Sequence, residues 1–315
     1  MKTGRFYILF ILLYFVSVRS LAQLTYKELE VLYDSAWTYK NLQLIPVKFK
    51  PLPAGAAIVK PFSEHPLSLT EAMQKHKIKV QEMQYENGAD INWLQVTNQS
   101  KQDVVVQSGE IMEGGKQDRM VGETKVIAAG TTDYLNVFCV EKRRWDDKAK
   151  AFKTKGMANS EVRKAMDVKG RQADVWKEID RQFSAQKKES LTLSYLHLYN
   201  DIAVLDTSYL NYFKGRYYGS NSNYSGFIFI TGNRIISTEL FGSKSLLDLS
   251  FINMLKSYIE TAITTGAPPV LEKAKINNFM DKILASEDEQ KNYVTAHGKL
   301  HKTGNRVIHL IAYPE

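Results

Sequence analysis

Between Ile78 and Glu141 the chain reads as a succession of short strands, and this pattern constrains the fold more than any other feature. IKVQEMQYE, INWLQVTN, DVVVQS, KVIAA and YLNVFCVE are β-branched or aromatic runs separated by Gly, Asn, Ser and Thr. Asn87-Gly88 is a turn dipeptide between the first two. A mainly antiparallel sheet is expected. After Trp145 the character changes: SEVRKAMDV and GRQADVWKEIDRQF carry helical spacing, with Gln172, Trp176, Ile179 and Phe183 on one stripe. Strands, then helices, then a second mixed block fit an α+β fold, mainly antiparallel sheets packed with helices in a single large domain, better than alternating βαβ units.

The flanking segments are read in the same way. In LTYKELEVLYDSAWTYKN, Thr25 and Glu28 form a capping box ahead of Leu29, Leu32, Tyr33, Ala36 and Trp37, which predicts an N-terminal helix. Pro46, Pro51 and Pro53 then impose extended chain. Ser68 and Glu71 repeat the capping logic for a short helix ending near His76. The aromatic, Gly-, Asn- and Ser-rich stretch from Asn211 to Ser225 reads as a loop. A hairpin turning at Gly232-Asn233, a helix from about Ser245 to Thr264 ended by Gly266, a helix near Lys275 to Ala285 and a last strand pair around KTGN complete the chain. Three segments result: a signal peptide over 1–22, a helix and extended lead-in over 23–60, and the α+β domain over 61–315.

The signal assignment rests on Lys2 and Arg5, the apolar run Phe6 to Val18, and small residues at Ser20 and Ala22. That run is shorter than the roughly 20 residues a bilayer span needs, so cleavage near Ala22 or Gln23 is expected rather than an uncleaved anchor. The lone cysteine, Cys139, lies far from the signal and excludes a lipid-modified N-terminus. A periplasmic or extracellular protein without a membrane span follows. One cysteine forms no internal disulfide, so the core itself must hold the fold, and roughly 290 residues suffice for that. Without Lys2, Arg5 and Arg19 the formal charge falls from +8 to +5 among 34 acidic residues, compatible with an anionic ligand and unlike a nucleic-acid groove.

Two stretches carry candidate chemistry. VVVQSGEIMEGGKQDRMVGE, Val104 to Glu123, sets an apolar run against two glycines and a dense polar cluster. Gly109 and Gly114 stand at phosphate-loop spacing, but Gly115 intrudes before Lys116, and Gln117 stands where a Ser or Thr would reach magnesium. A looser anion nest from Gly114-Gly115 with Lys116 and Arg119, or a tight β turn with a charged tip, are the two readings. In YLNVFCVEKRRW, Leu135, Val137, Cys139 and Glu141 share one strand face and Phe138 and Val140 the other, so the strand is central and Cys139 reads as core. Glu141 and Arg144, where the strand meets a loop, are better placed to bind. His297, His301 and His309 converge at metal-ligand density only if residue 299 pairs with 309, and surface histidines on a terminal hairpin are the plainer reading. Asp146-Asp147 and Glu287-Asp288-Glu289 read as solvated loops. No metal site is assigned and no cofactor is indicated.

SGEIMEGGKQDR, VFCVEKRRW and GRQADVW, in that order, resemble the ARG and Rhodanese-Phosphatase-superfamily-associated Protein domain, the ARPP type. The resemblance extends from PLSLTEAMQKHKIKVQEM to MLKSYIETA. It places the family pattern on Gly109, Glu110, Gly115, Lys116, Gln117, Arg119, Cys139, Val140, Glu141, Arg144, Trp145, Gln172 and Trp176. Asp118 stands where the pattern has Asn, and Lys142-Arg143 replaces a small or polar pair. The family's name implies nucleotide or ADP-ribose chemistry by association. On this basis a pocket is expected in which Lys116, Gln117, Asp118, Arg119, Arg144 and Trp145 bind a small anionic ligand and Glu110 or Glu141 serves as acid or base. The rival is a structural or interaction module, with Glu141 paired to Arg119 or Arg144 in a buried lock.

Overall fold

The computed structural model describes residues 23–51, 65–85, 88–144, 150–202 and 207–315. The expected signal segment, Asn87, Trp145 and Asp146-Asp147 lie outside them. Where the N-terminal helix is expected, the chain forms strands instead: β1 (Leu29–Val31), β2 (Trp37–Tyr39) and β3 (Leu42–Phe49). Thr25 does start one turn, since its carbonyl accepts the amides of Glu28 and Leu29, but Glu28 turns back onto the Leu24 amide at 3.1 Å. Pairing of β1 with Val47 to Phe49 of β3, and burial of Leu29, Val31 and Trp37, outweigh the local helical preference.

β4 (Leu67–Ser68) leads into α1 (Leu69–Gln74), where the Ser68 hydroxyl caps the Glu71 amide as expected. There follow β5 (Ile78–Tyr85), β6 (Gly88–Asn98), β7 (Val104–Val106), β8 (Glu110–Gly115), β9 (Arg119–Val121), β10 (Lys125–Ile127), β11 (Thr132–Cys139) and β12 (Lys150–Met157). Six of these form an antiparallel sheet in the order β12-β8-β9-β11-β6-β5, while β10-β7-β4 is a small sheet with β4 parallel to β7. β11 alternates as expected. Leu135 and Val137 face the small sheet and α1; Phe138 and the following Val140 face helices. Those helices are α2 (Ser160–Lys164), which continues into a π-helical turn over Ala165–Lys169, α3 (Gln172–Gln186) and α4 (Tyr195–Ile202).

α5 (Thr207–Tyr218) occupies most of the stretch expected to be a loop. Its Tyr209, Phe213 and Tyr217 are spaced four apart, so one helical face buries all three, and this outweighs the turn-forming character of Gly215. β13 (Tyr224–Thr231) and β14 (Arg234–Phe241) form the expected hairpin, followed by α6 (Lys244–Thr265), α7 (Lys273–Leu284), α8 (Glu287–His297), β15 (Gly298–Thr303) and β16 (Arg306–Ala312). The acids at 287–289 are thus the first turn of α8, capped by Ser286, where negative charge complements the helix dipole. The second sheet runs β1-β3-β13-β14-β16-β15, with β2 also paired to β3. Phe227 and Phe229 of β13 pack towards α5 and α6, Ile228 and Ile230 towards α7. The result is one α+β fold of mainly antiparallel sheets packed with helices. Among the described residues no helix is long and apolar enough to cross a membrane.

Candidate functional site

The motif stretch is a hairpin, not a long loop: β8 and β9 pair, leaving only residues 116–118 as the turn. Gly115 sits at φ +56°, and a Cβ there would lie 2.2 Å from the Phe152 ring and 2.5 Å from the Glu82 carboxylate. Only glycine lets the turn close against both. The turn is then tied down by charge. Arg144 donates from Nε to Glu141 at 2.7 Å and from Nη2 to Asp118 at 3.0 Å, and reaches the carbonyl of Gly115 at 3.2 Å. Asp118 also accepts the Gly114 amide at 3.0 Å and the Ser194 hydroxyl at 2.8 Å, and its own amide donates to Glu141 at 3.2 Å. The groups hydrogen-bonded to the Asp118 carboxylate, Arg144, the Gly114 amide and the Ser194 hydroxyl, are all donors, so an acceptor-only carboxylate fits where the motif has an amide. Burial raises the Asp118 pKa, while the Gly114 and Ser194 bonds oppose it.

Arg119 is fully buried and donates to Glu82 at 3.3 Å, to Gln117 at 3.3 Å and to the Cys139 sulfur at 3.2 Å; its Nε has no hydrogen-bond partner among the described residues. Gln117 donates onward to the Glu141 carbonyl. Lys116 is half-buried, with its amide on Glu82. Cys139 is buried, and burial pushes its thiol pKa up. Its backbone exchanges two hydrogen bonds, 2.7 and 2.8 Å, with the Gln172 side-chain amide, so Gln172 clamps α3 to the end of β11. Sequence-expected residues Gln117, Asp118, Arg119, Glu141 and Arg144 are therefore brought together. Glu110 is not among them. It stands at the far end of β8, five residues or roughly 17 Å of strand from Gly115.

Gly109, the residue before that strand, packs against a second buried centre, built around Arg163 and Glu239, which sequence reasoning missed. Gly109 holds φ +89°, and a Cβ on it would meet Arg163 Nε at 2.7 Å. Arg163, fully buried on α2, donates from Nη1 to Glu239 of β14 at 2.6 Å, while its Nε and Nη2 have no hydrogen-bond partner among the described residues. Glu239 also accepts from the Tyr258 hydroxyl and meets His309 Nε2 at 3.1 Å. His309 Nδ1 lies 2.8 Å from the Thr124 hydroxyl, and the Thr124 amide donates to His301 Nδ1 at 3.1 Å. Burial would raise the Glu239 pKa, but Arg163 and His309 outweigh it and hold the carboxyl at about 2. Burial drives the His301 pKa well down. With Nδ1 accepting, its hydrogen rides on Nε2. The register pairs His301 with His309 and Lys299 with Ile311, whereas His297 ends α8 rather than sharing their strand face, so the three histidines do not converge. Among the described residues no group of three or more His, Cys, Asp or Glu is arranged to hold a metal.

A family model for the ARG and Rhodanese-Phosphatase-superfamily-associated Protein domain matches residues 30–312. The chain belongs to this family. The matched residues include strands β2 and β3 and most of β1. No curated protein and no solved structure matches the chain at a significant level.

Glu110 gives the ARPP-type domain a pH signature. Burial pushes its carboxyl from 4.5 up to about 8, opposed only by the Gln107 amide. A carboxyl with a raised folded pKa stabilises fully below its unfolded value, and that contribution is lost as pH rises towards 8. Between pH 4.5 and 7 this loss amounts to roughly 3 kcal/mol. Glu110→Gln is expected to flatten the decline in urea stability across that window. Some slope persists through Glu260, which burial raises to about 7. An unchanged slope would show that Glu110 is ionised in the folded protein.

Proposed function

We propose that this ARPP-type chain is an exported, non-catalytic structural or protein-interaction module whose signature residues form a buried lock. The observation that carries the reading is the pairing of the motif's cations with the chain's own carboxylates: Arg144 lies between Asp118 and Glu141, and Arg119 lies on Glu82. Buried charges matched in this way fix a geometry, here the β8–β9 turn against the end of β11, α3 and the segment around Ser194. Export is supported by the basic start, the apolar run Phe6 to Val18 and the small residues before Gln23.

The rival reading is an anionic, nucleotide- or ADP-ribose-like ligand held by Lys116 and Arg119. It draws support from the buried, unpartnered Nε of Arg119, but requires that head group to reorganise around Glu82. A thermal-shift screen decides between the two, run on the mature chain recovered from the extracytoplasmic fraction with inorganic phosphate, carboxylates and nucleotides, on wild type and on Lys116→Ala. With a lock, any stabilisation persists in Lys116→Ala. A ligand shift abolished in that variant, with the unliganded melting temperature unchanged, would sink the lock reading. Recovery only in the cytosol with residues 1–22 intact would contradict export.

A further inference from the structure

We infer that a cleft remote from the signature motif binds a small molecule made of an apolar ring and an anionic group, a carboxylate or a phosphate. The cleft, of about 640 Å³, lies between α2, the β13–β14 turn, α7 and residues 313–315. Its size falls within the usual range for small-molecule sites. The floor is apolar and aromatic, with Ile235, Phe279, Tyr293 and Tyr313 all at least nine-tenths buried, a surface suited to a flat ring. The surrounding charge is cationic: Lys164, Arg234, Lys275 and Lys282 against Glu161 and Glu315.

Two of these cations are already engaged, Arg234 with Glu161 at 3.3 Å and Lys282 with Glu315 at 2.6 Å. Lys164 is not paired with a carboxylate among the described residues. Its ammonium donates to the Pro314 carbonyl at 3.2 Å and approaches the Tyr313 ring. It is half-buried, and burial lowers its pKa; the nearby Glu161 carboxylate opposes that, and Arg234 and Lys169 add like-charge repulsion. An anion placed between Lys164 and Arg234 shares these cations with Glu161 and gains charge-assisted hydrogen bonds, while the ring covers the apolar floor. Tyr313 then links the cleft to the interior, because its hydroxyl donates to Asp167 at 2.9 Å. This site is independent of the lock.

The test is calorimetric titration of the full mature chain with phenyl phosphate, phenylacetate and inorganic phosphate. Saturable binding of phenyl phosphate or phenylacetate is expected, and which of the two binds tighter separates a phosphate from a carboxylate ligand. Lys164→Ala and Arg234→Ala should each weaken it by about tenfold or more, while Lys142→Ala, at a different surface cleft, leaves it unchanged. Arg234 is surface-exposed, so its variant reports even if Lys164→Ala folds poorly. No binding of either aromatic anion at millimolar concentration, binding unaffected in both variants, or inorganic phosphate binding as tightly as phenyl phosphate would each overturn the assignment.

Discussion

Arg163→Ala is expected to lower the unfolding free energy by about 3–5 kcal/mol, the range for breaking one partner of a buried ion pair. Arg163 and Glu239 are both essentially inaccessible, 0% and 1% exposed. Without the guanidinium, Glu239 keeps only Tyr258 and His309, and burial is no longer offset. The effect has a pH signature. Glu239 titrates at about 2 in the folded protein and near 4.5 otherwise, so the pair's contribution is fully present above pH 4.5 and is lost as pH falls through 2. In the variant the Glu239 pKa rises and acid unfolding moves to higher pH. Urea denaturation at neutral and acidic pH measures both effects, and a loss below about 1 kcal/mol at neutral pH would mean that the pair is replaceable by its surroundings.

Arg144→Ala is expected to cost roughly 3 kcal/mol by the same mechanism at the signature motif. Its side chain is partly exposed, but the carboxylates it separates, Asp118 and Glu141, are not. Removing the cation leaves two buried carboxylates facing each other across the turn. It also frees the Gly114 and Gly115 carbonyls that the guanidinium bonds. The hairpin turn and its attachment to Ser194 are then the first parts to loosen.

Much of this architecture was legible because the patterns are periodic. The alternation of Leu135, Val137 and Cys139 against Phe138 and Val140, the Gly232-Asn233 turn and the long helix ended by Gly266 all follow from spacing and turn chemistry. What failed was local preference where tertiary pairing decides. The capping box at Thr25 starts a turn that β3 then converts to strand, and Phe213 and Tyr217 read as loop residues because Gly and Asn stand among them. The motif residues were found by their density. Arg163 and Glu239 were not, although each carries a signal: a charge embedded in an otherwise apolar helix face, beside Val162 and Met166, and a charge within a strand buried on both faces, between Thr238 and Leu240. Their pairing depends on bringing α2 to β14, 76 residues away in sequence, which no local pattern encodes.

The most direct measurement is the urea midpoint of Arg144→Ala beside wild type, taken with and without phosphate and nucleotides. If the signature residues lock the fold, the midpoint falls substantially at constant slope, and the anions do not change the difference between the two proteins. An unchanged midpoint in Arg144→Ala, together with an anion that stabilises wild type and no longer stabilises the variant, would contradict the lock and establish the motif as a binding site.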